Sequence, residues 1–191
     1  PEQGGTMNNA VVYYMHQAFV ARGFSTMRFN FRGVGRSQGT FDRGEGELSD
    51  AAAALDWMQE INPEAPYTWI GGFQFGAWIG MQMLMRRPEI KGWISIAPPA
   101  NLYDFSFLAP CPSSGLVLHG EEDQCVPQES VDDLVEKLNM QRDISVDYRT
   151  VKGANHFFRD HIDEMIANIH SHMNSKDQSG REIRPQLVDA G

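Results

Sequence analysis

"IGGFQFGAW", residues 70–78, decides how the rest of the chain is read. A run of β-forming residues enters it and a helix-like run leaves it. Glycines flank the central residue at the spacing Gly72-x-Gln74-x-Gly76. That is the outline of a nucleophile elbow, a strand-to-helix turn that lifts one side chain above a sheet. The chemistry of an elbow needs a hydroxyl or thiol at its centre, and the centre here is an amide.

Working outward, strand and helix patterns alternate. Val11, Val12, Met15 and Phe19 repeat at helical spacing from about Thr6, with Gly23 where a C-terminal cap would stand. Phe24 to Phe31 reads as a strand. Leu48, Ala51, Ala52, Leu55 and Met58 line one face of a helix from Glu47 to Ile61, closed by Pro63. Tyr67 to Phe73 is the strand entering the elbow, and Phe75 to Arg87 is the helix leaving it, stopped by Pro88. Gly92 to Ala97 and Gly115 to His119 are short apolar strands on either side of a proline-rich loop. Pro127 suits the first position of a helix running to about Gln141. Ile144 to Val151 alternates in the manner of an edge strand, and Asp160 to about Met173 is the last helix. Internal strands that are apolar without alternation, separated by helices, specify a mostly parallel sheet with helices on both faces. The expected organisation is one domain over residues 1–173 and a polar, frayed tail over 174–191.

Bulk composition narrows the function classes. The chain has 191 residues, 41% of them hydrophobic and 21% charged, as in an ordinary globular protein. Its formal net charge of -9 argues against a nucleic-acid partner and against binding to an anionic membrane surface. No apolar run approaches the length needed to span a bilayer. The two cysteines, Cys111 and Cys125, form no CxxC pair and read as reduced thiols in a cytoplasmic protein. The histidines His156, His161, His170 and His172 lack the spacing of a metal site.

Three segments fall just after strands, where open parallel sheets place their ligand sites. They are the elbow at Gln74, "HGEEDQCVP" with Asp123, and "KGANHFF" with His156. A catalytic histidine needs an acid to hold its tautomer and to stabilise the imidazolium formed on proton transfer. Taken singly, the glycines are close-packing residues, Asp123 a turn former and His156 a packed histidine. Their occurrence together, in order and after strands, points to a hydrolase scaffold.

Beyond the elbow, the segments "GGTMNN" (4–9), "RFNFRGVGRSQG" (28–39), "GAWIGMQ" (76–82), "APPANLYDFSFLAPCPSS" (97–114) and "GANHFF" (153–158) make the chain resemble a known group. This group is the small, lid-less α/β-hydrolases of the dienelactone-hydrolase and serine-peptidase-like type. The resemblance implies an α/β-hydrolase fold and hydrolysis of an ester or similar acyl bond, with no cofactor and no metal. It implies that the elbow centre is the nucleophile position, with Asp123 the acid and His156 the base. The oxyanion hole would combine the Phe75 backbone N–H with one from the Pro1–Gly5 loop, assigned to Gln3. Tyr103, Phe105 and Phe157 are candidate substrate contacts, although Tyr103, Phe105 and Phe107 serve equally as a hydrophobic plug beside the sheet. The expected ligand is a small acyl ester. Gln74 departs from the pattern at the one position that forms the covalent bond, so the expected activity is impaired or lost. The alternative is a pseudo-hydrolase that binds a ligand or partner without turning it over. In the family a mid-sheet strand runs into the loop that begins here at Pro1. An N-terminal extension carrying about two or three strands is therefore expected.

Overall fold

The structure is a computed structural model, and it describes Pro1 and residues 3–175. The elements are α1 (Ala10–Val20), α2 (Glu45–Ile61), β1 (Thr68–Phe73), α3 (Phe75–Arg86), β2 (Ile90–Ile96), β3 (Leu116–Gly120), α4 (Gln128–Asn139), β4 (Asp147–Val151) and α5 (Ile162–Ser175). A 3₁₀ turn, Ser106–Leu108, interrupts the long loop after β2. The four strands form one sheet in the order β1-β2-β3-β4, every neighbouring pair parallel.

The inner strands explain why helices cover both faces. Residues of β2 and β3 alternate between two core clusters. Trp93 and Val117 point into the cluster built with Ala51 of α2, Ile79 of α3 and Val131 of α4. Ile94, Ile96, Leu116 and Leu118 point into the other, with Val11 and Met15 of α1 and Met165 and Ile169 of α5. A period of two in a strand apolar at nearly every position is what burial on both faces requires. The first two helix starts have local causes. Asn9 Oδ1 accepts the Val11 N–H at 2.9 Å and caps α1. Glu47, fully buried, folds back so that its carboxylate accepts the Gly44 N–H at 2.8 Å and the Asp42 N–H at 2.9 Å. It thereby orders the entry to α2.

The sequence expectations need several corrections. Phe24 to Phe31 is not a strand in this structure. It is unassigned along its length, although Phe29 and Phe31 pack against the core as strand side chains would. A strand requires a ladder partner as well as an apolar pattern. Among the described residues no strand pairs with the outer edge of β1. A cavity of about 1070 Å³ lies in that region, with Ser25–Phe31 and Tyr67–Phe75 both in its wall. The edge strand β4 is shorter than expected because its ladder starts at Asp147, whose N–H donates to Gly115 O at 2.9 Å, leaving Ile144 and Val146 in the approach. The last helix begins at Ile162 and extends through Ser175, so Asn174 and Ser175 belong to it; the remainder of the expected tail lies outside the described residues. No described helix is long and apolar enough to cross a membrane.

Candidate active site

The elbow is built as the glycine spacing requires. Gln74 sits between β1 and α3 with φ 49° and ψ -118°, a backbone conformation unusual for a residue with a side chain. Such geometry costs about 1–3 kcal/mol and persists only where its surroundings over-determine it. The surroundings here do so: the Gln74 N–H donates to Ile96 O at the end of β2, and Gln74 O accepts the Ala77 N–H to start α3. Gly72 is obligatory, since a Cβ there would collide with the backbone of Gly76 and Ala77.

The side chain of Gln74 has its own partner. Its Oε1 accepts the backbone N–H of Phe75 at 2.7 Å. Because the donor is an N–H, the contacting atom must be the amide oxygen, which fixes the orientation of the amide. Phe75 N–H, one of the two donors expected to form an oxyanion hole, is therefore already engaged. Gln3, the other, lies in an exposed loop that contributes to the same cavity wall.

The loops after β3 and β4 are tied to each other by main-chain bonds. Glu121 N–H donates to Val151 O at 3.0 Å and Glu122 N–H to Ala154 O at 2.9 Å. Gly120 permits this approach, since a Cβ on it would press on the carbonyl oxygens of Ala154 and Asn155. The result brings Asp123 and His156 together across 33 positions of sequence, with Asp123 Oδ2 2.8 Å from His156 Nδ1. The other oxygen, Oδ1, accepts the N–H groups of Cys125 at 2.8 Å and Val126 at 2.9 Å. The carboxylate is thus held at both ends, and His156 keeps its Nε2 for chemistry. Phe73 and Phe157 each place a ring centroid 4.9 Å from that of His156, packing the imidazole from two sides.

Burial favours the neutral acid at Asp123, but the bonds from His156 and the two N–H groups outweigh it and hold the carboxyl below the usual carboxylate range. Beneath it, fully buried His119 has Nδ1 3.9 Å from Asp123 Oδ2, and desolvation lowers its pKa so that it stays neutral. Asp147 behaves like Asp123: burial is outweighed by Arg149 and His172, whose nearest nitrogens lie 2.7 and 2.8 Å away, and the pKa falls. A depressed folded-state pKa contributes stability that is complete above the unfolded value and is lost as pH falls through the folded value. The melting temperature should therefore hold at neutral pH and fall once pH drops below about 4. Asp147→Asn should lower the neutral-pH value and flatten the acid decline. An acid profile identical in the variant would contradict this assignment.

The remaining expected site residues divide. Gln74, Phe75, His156, Tyr103 and Phe157 all line the large cavity. Tyr103 is stacked on Trp78 with centroids 4.4 Å apart, so its ring is a fixed wall. Phe157 is 40% exposed, with Arg159 set over its ring. Phe105 differs from these: it is buried in the core, stacked with Phe107, and is not among the residues of the cavity wall. Two neighbours of the dyad went unrecognised in sequence, His119 and Cys125. Cys125 Sγ, a ring nitrogen of His156 and a carboxylate oxygen of Asp123 lie within 4.8 Å of one another. Both oxygens of Asp123 accept N–H bonds within this grouping.

A parallel sheet with an elbow after one strand and an Asp–His pair joining two later loops invites comparison with known hydrolases. Residues 3–181 match the model of the X-Pro dipeptidyl-peptidase (S15) family. The chain belongs to that family. An uncharacterised protein of Rickettsia prowazekii (strain Madrid E) is 47% identical over 95% of this chain and 82% of its own length. Among solved structures, an α/β-hydrolase-type protein of unknown function from Agrobacterium tumefaciens shares 56% identity at a TM-score of 0.88, over 91% of this chain and 80% of that one. An α/β serine hydrolase without a lid from Xanthomonas campestris shares 32% identity at a TM-score of 0.82, over 91% of this chain and 76% of that one. The fold is that of the lid-less α/β-hydrolases, as the resemblance implied.

Proposed function

We propose that this S15-family chain is an acyl-ester hydrolase scaffold of the Ser-Asp-His type, with Gln74 at the nucleophile position suppressing the serine chemistry. One observation carries the reading. The elbow keeps its strained backbone, yet its side-chain oxygen is hydrogen-bonded to the Phe75 N–H. Two effects act together. An amide oxygen is a poor nucleophile, so no acyl-enzyme forms at residue 74. The same oxygen also competes with a substrate carbonyl for an N–H that would stabilise the tetrahedral intermediate. Asp123 orients His156, His156 is the base, and Tyr103 and Phe157 contact the acyl ligand, a small molecule rather than nucleic acid or lipid surface. What remains at residue 74 is substrate binding and a water positioned for His156. Such remainders are worth roughly 10³–10⁴ over uncatalysed hydrolysis in serine proteases stripped of triad members. A panel of short acyl esters, run on the native protein and Gln74→Ser, tests this directly.

The pseudo-hydrolase reading is favoured by the cavity, whose wall joins Tyr103, Phe157 and His156 whether or not a nucleophile is present. Ligand-induced rises in melting temperature with no product formed would support it.

A further inference from the structure

The thiol of Cys125 belongs to the candidate site, and nothing in serine chemistry uses it. Cys125 is exposed, whereas Cys111 is buried. It forms part of the wall of the cavity that also contains Gln74, His156 and Phe157. Its Sγ lies within 4.8 Å of both the imidazole and the carboxylate of the dyad. Its backbone is pinned, because the Cys125 N–H is bound to Asp123 Oδ1 at 2.8 Å. Asn101 Nδ2 donates to Cys125 O at 3.1 Å and holds the loop from the other side. A thiol in a fixed loop, close to an imidazole whose tautomer is set by a carboxylate, brings together the parts of an activated sulfur nucleophile. Catalytic contacts in unliganded sites are often long and tighten in the substrate complex.

We propose that Cys125 is the nucleophile available to this site, accepting acyl groups from activated esters with His156 as its base. The inference rests on the Asp123–His156 dyad and is independent of what Gln74 does. In the first step Sγ attacks the ester carbonyl carbon as its proton passes to His156 Nε2. The C–S bond forms and the carbonyl π pair moves to oxygen. When the pair returns, the C–O bond to the alcohol breaks and the leaving oxygen takes the proton from Nε2, giving a thioester. In the second step water adds to the thioester carbon as Nε2 accepts its proton. The C–S bond then breaks, the sulfur recovers the proton, and the carboxylic acid leaves. The sum is ester plus water to acid plus alcohol, with no other reactant.

The proposal is tested with p-nitrophenyl acetate and mass spectrometry of quenched, acid-stable digests. The expected result is an acetyl group on the Cys125 peptide and none on Cys111. His156→Ala should slow acetylation about a hundredfold, the range of a lost general base. Asp123→Asn, which preserves the side-chain shape, should slow it as well, guarding against a His156→Ala protein that fails to fold. Cys125→Ala should abolish the thioester and lower the residual release of p-nitrophenol. Acetylation of Cys125 at the same rate with and without His156 would overturn the proposal, since the thiol would then be an ordinary exposed cysteine. Absence of any acetyl on Cys125 would overturn it equally. Neither outcome touches the reading of Gln74, because Gln74→Ser combined with Cys125→Ala tests the serine chemistry without the thiol.

Discussion

Gln74→Ser should raise the turnover of short acyl esters by two orders of magnitude or more. The substitution makes two changes in one step. It supplies a hydroxyl at the top of the elbow, and it removes the Oε1 that now occupies the Phe75 N–H. Loss of one oxyanion donor alone costs about 10²–10³ in kcat in a serine protease. Loss of a nucleophile costs more, although such effects are not additive. The elbow needs no rebuilding, because its φ of 49° is set by the Gly72 contact and by the bond from Gln74 N to Ile96 O. Serine pays the same backbone cost that glutamine already pays. The check is initial-rate kinetics with p-nitrophenyl acetate and butyrate, in the Cys125→Ala background so that sulfur contributes nothing. A Ser variant inert on every ester, with an unchanged melting curve, would favour the pseudo-hydrolase reading.

Within that restored enzyme, Asp123→Asn should lower kcat by about 10⁴, the effect seen when a triad aspartate is made neutral. Asp123 Oδ2 accepts a hydrogen from His156 Nδ1 across 2.8 Å, so Nε2 is left unprotonated and able to act as base. An asparagine that turns its amide toward Nδ1 reverses this, making Nδ1 the acceptor and leaving the proton on Nε2. KM should change little, since Asp123 is buried and lies outside the cavity wall. A fall in KM-dependent terms alone, with kcat retained, would show that Asp123 merely shapes the pocket.

Much of the frame was legible because the physical signals were local. The largely apolar β2 and β3 read as interior strands, and they are buried at every position except Lys91. The elbow was legible because glycine has no substitute at Gly72. The Asp123–His156 pairing followed from where loops emerge from a parallel sheet. Legibility failed where an outcome depends on a partner. The run Phe24 to Phe31 carries strand chemistry in its side chains, but a ladder needs another backbone, which no pattern within the run can reveal. Phe105 and Tyr103 are two residues apart in one aromatic group, and only the turn at Ser106–Leu108 shows that one enters the core while the other faces the cavity. Cys125 follows Asp123 by two positions, and its approach to His156 comes from the bonds tying the 121–122 loop to Val151 and Ala154.

The central proposal is that Gln74 suppresses serine chemistry on an α/β-hydrolase scaffold. Fluorophosphonate labelling tests it most directly, because the probe forms a stable bond only with a nucleophilic hydroxyl activated by its neighbours. The native protein should remain unlabelled on any serine, while Gln74→Ser should label stoichiometrically at residue 74 and lose that label when His156 is replaced by alanine. Stoichiometric labelling of a serine in the native protein, or a folded Gln74→Ser protein that never takes up the probe, would contradict the account.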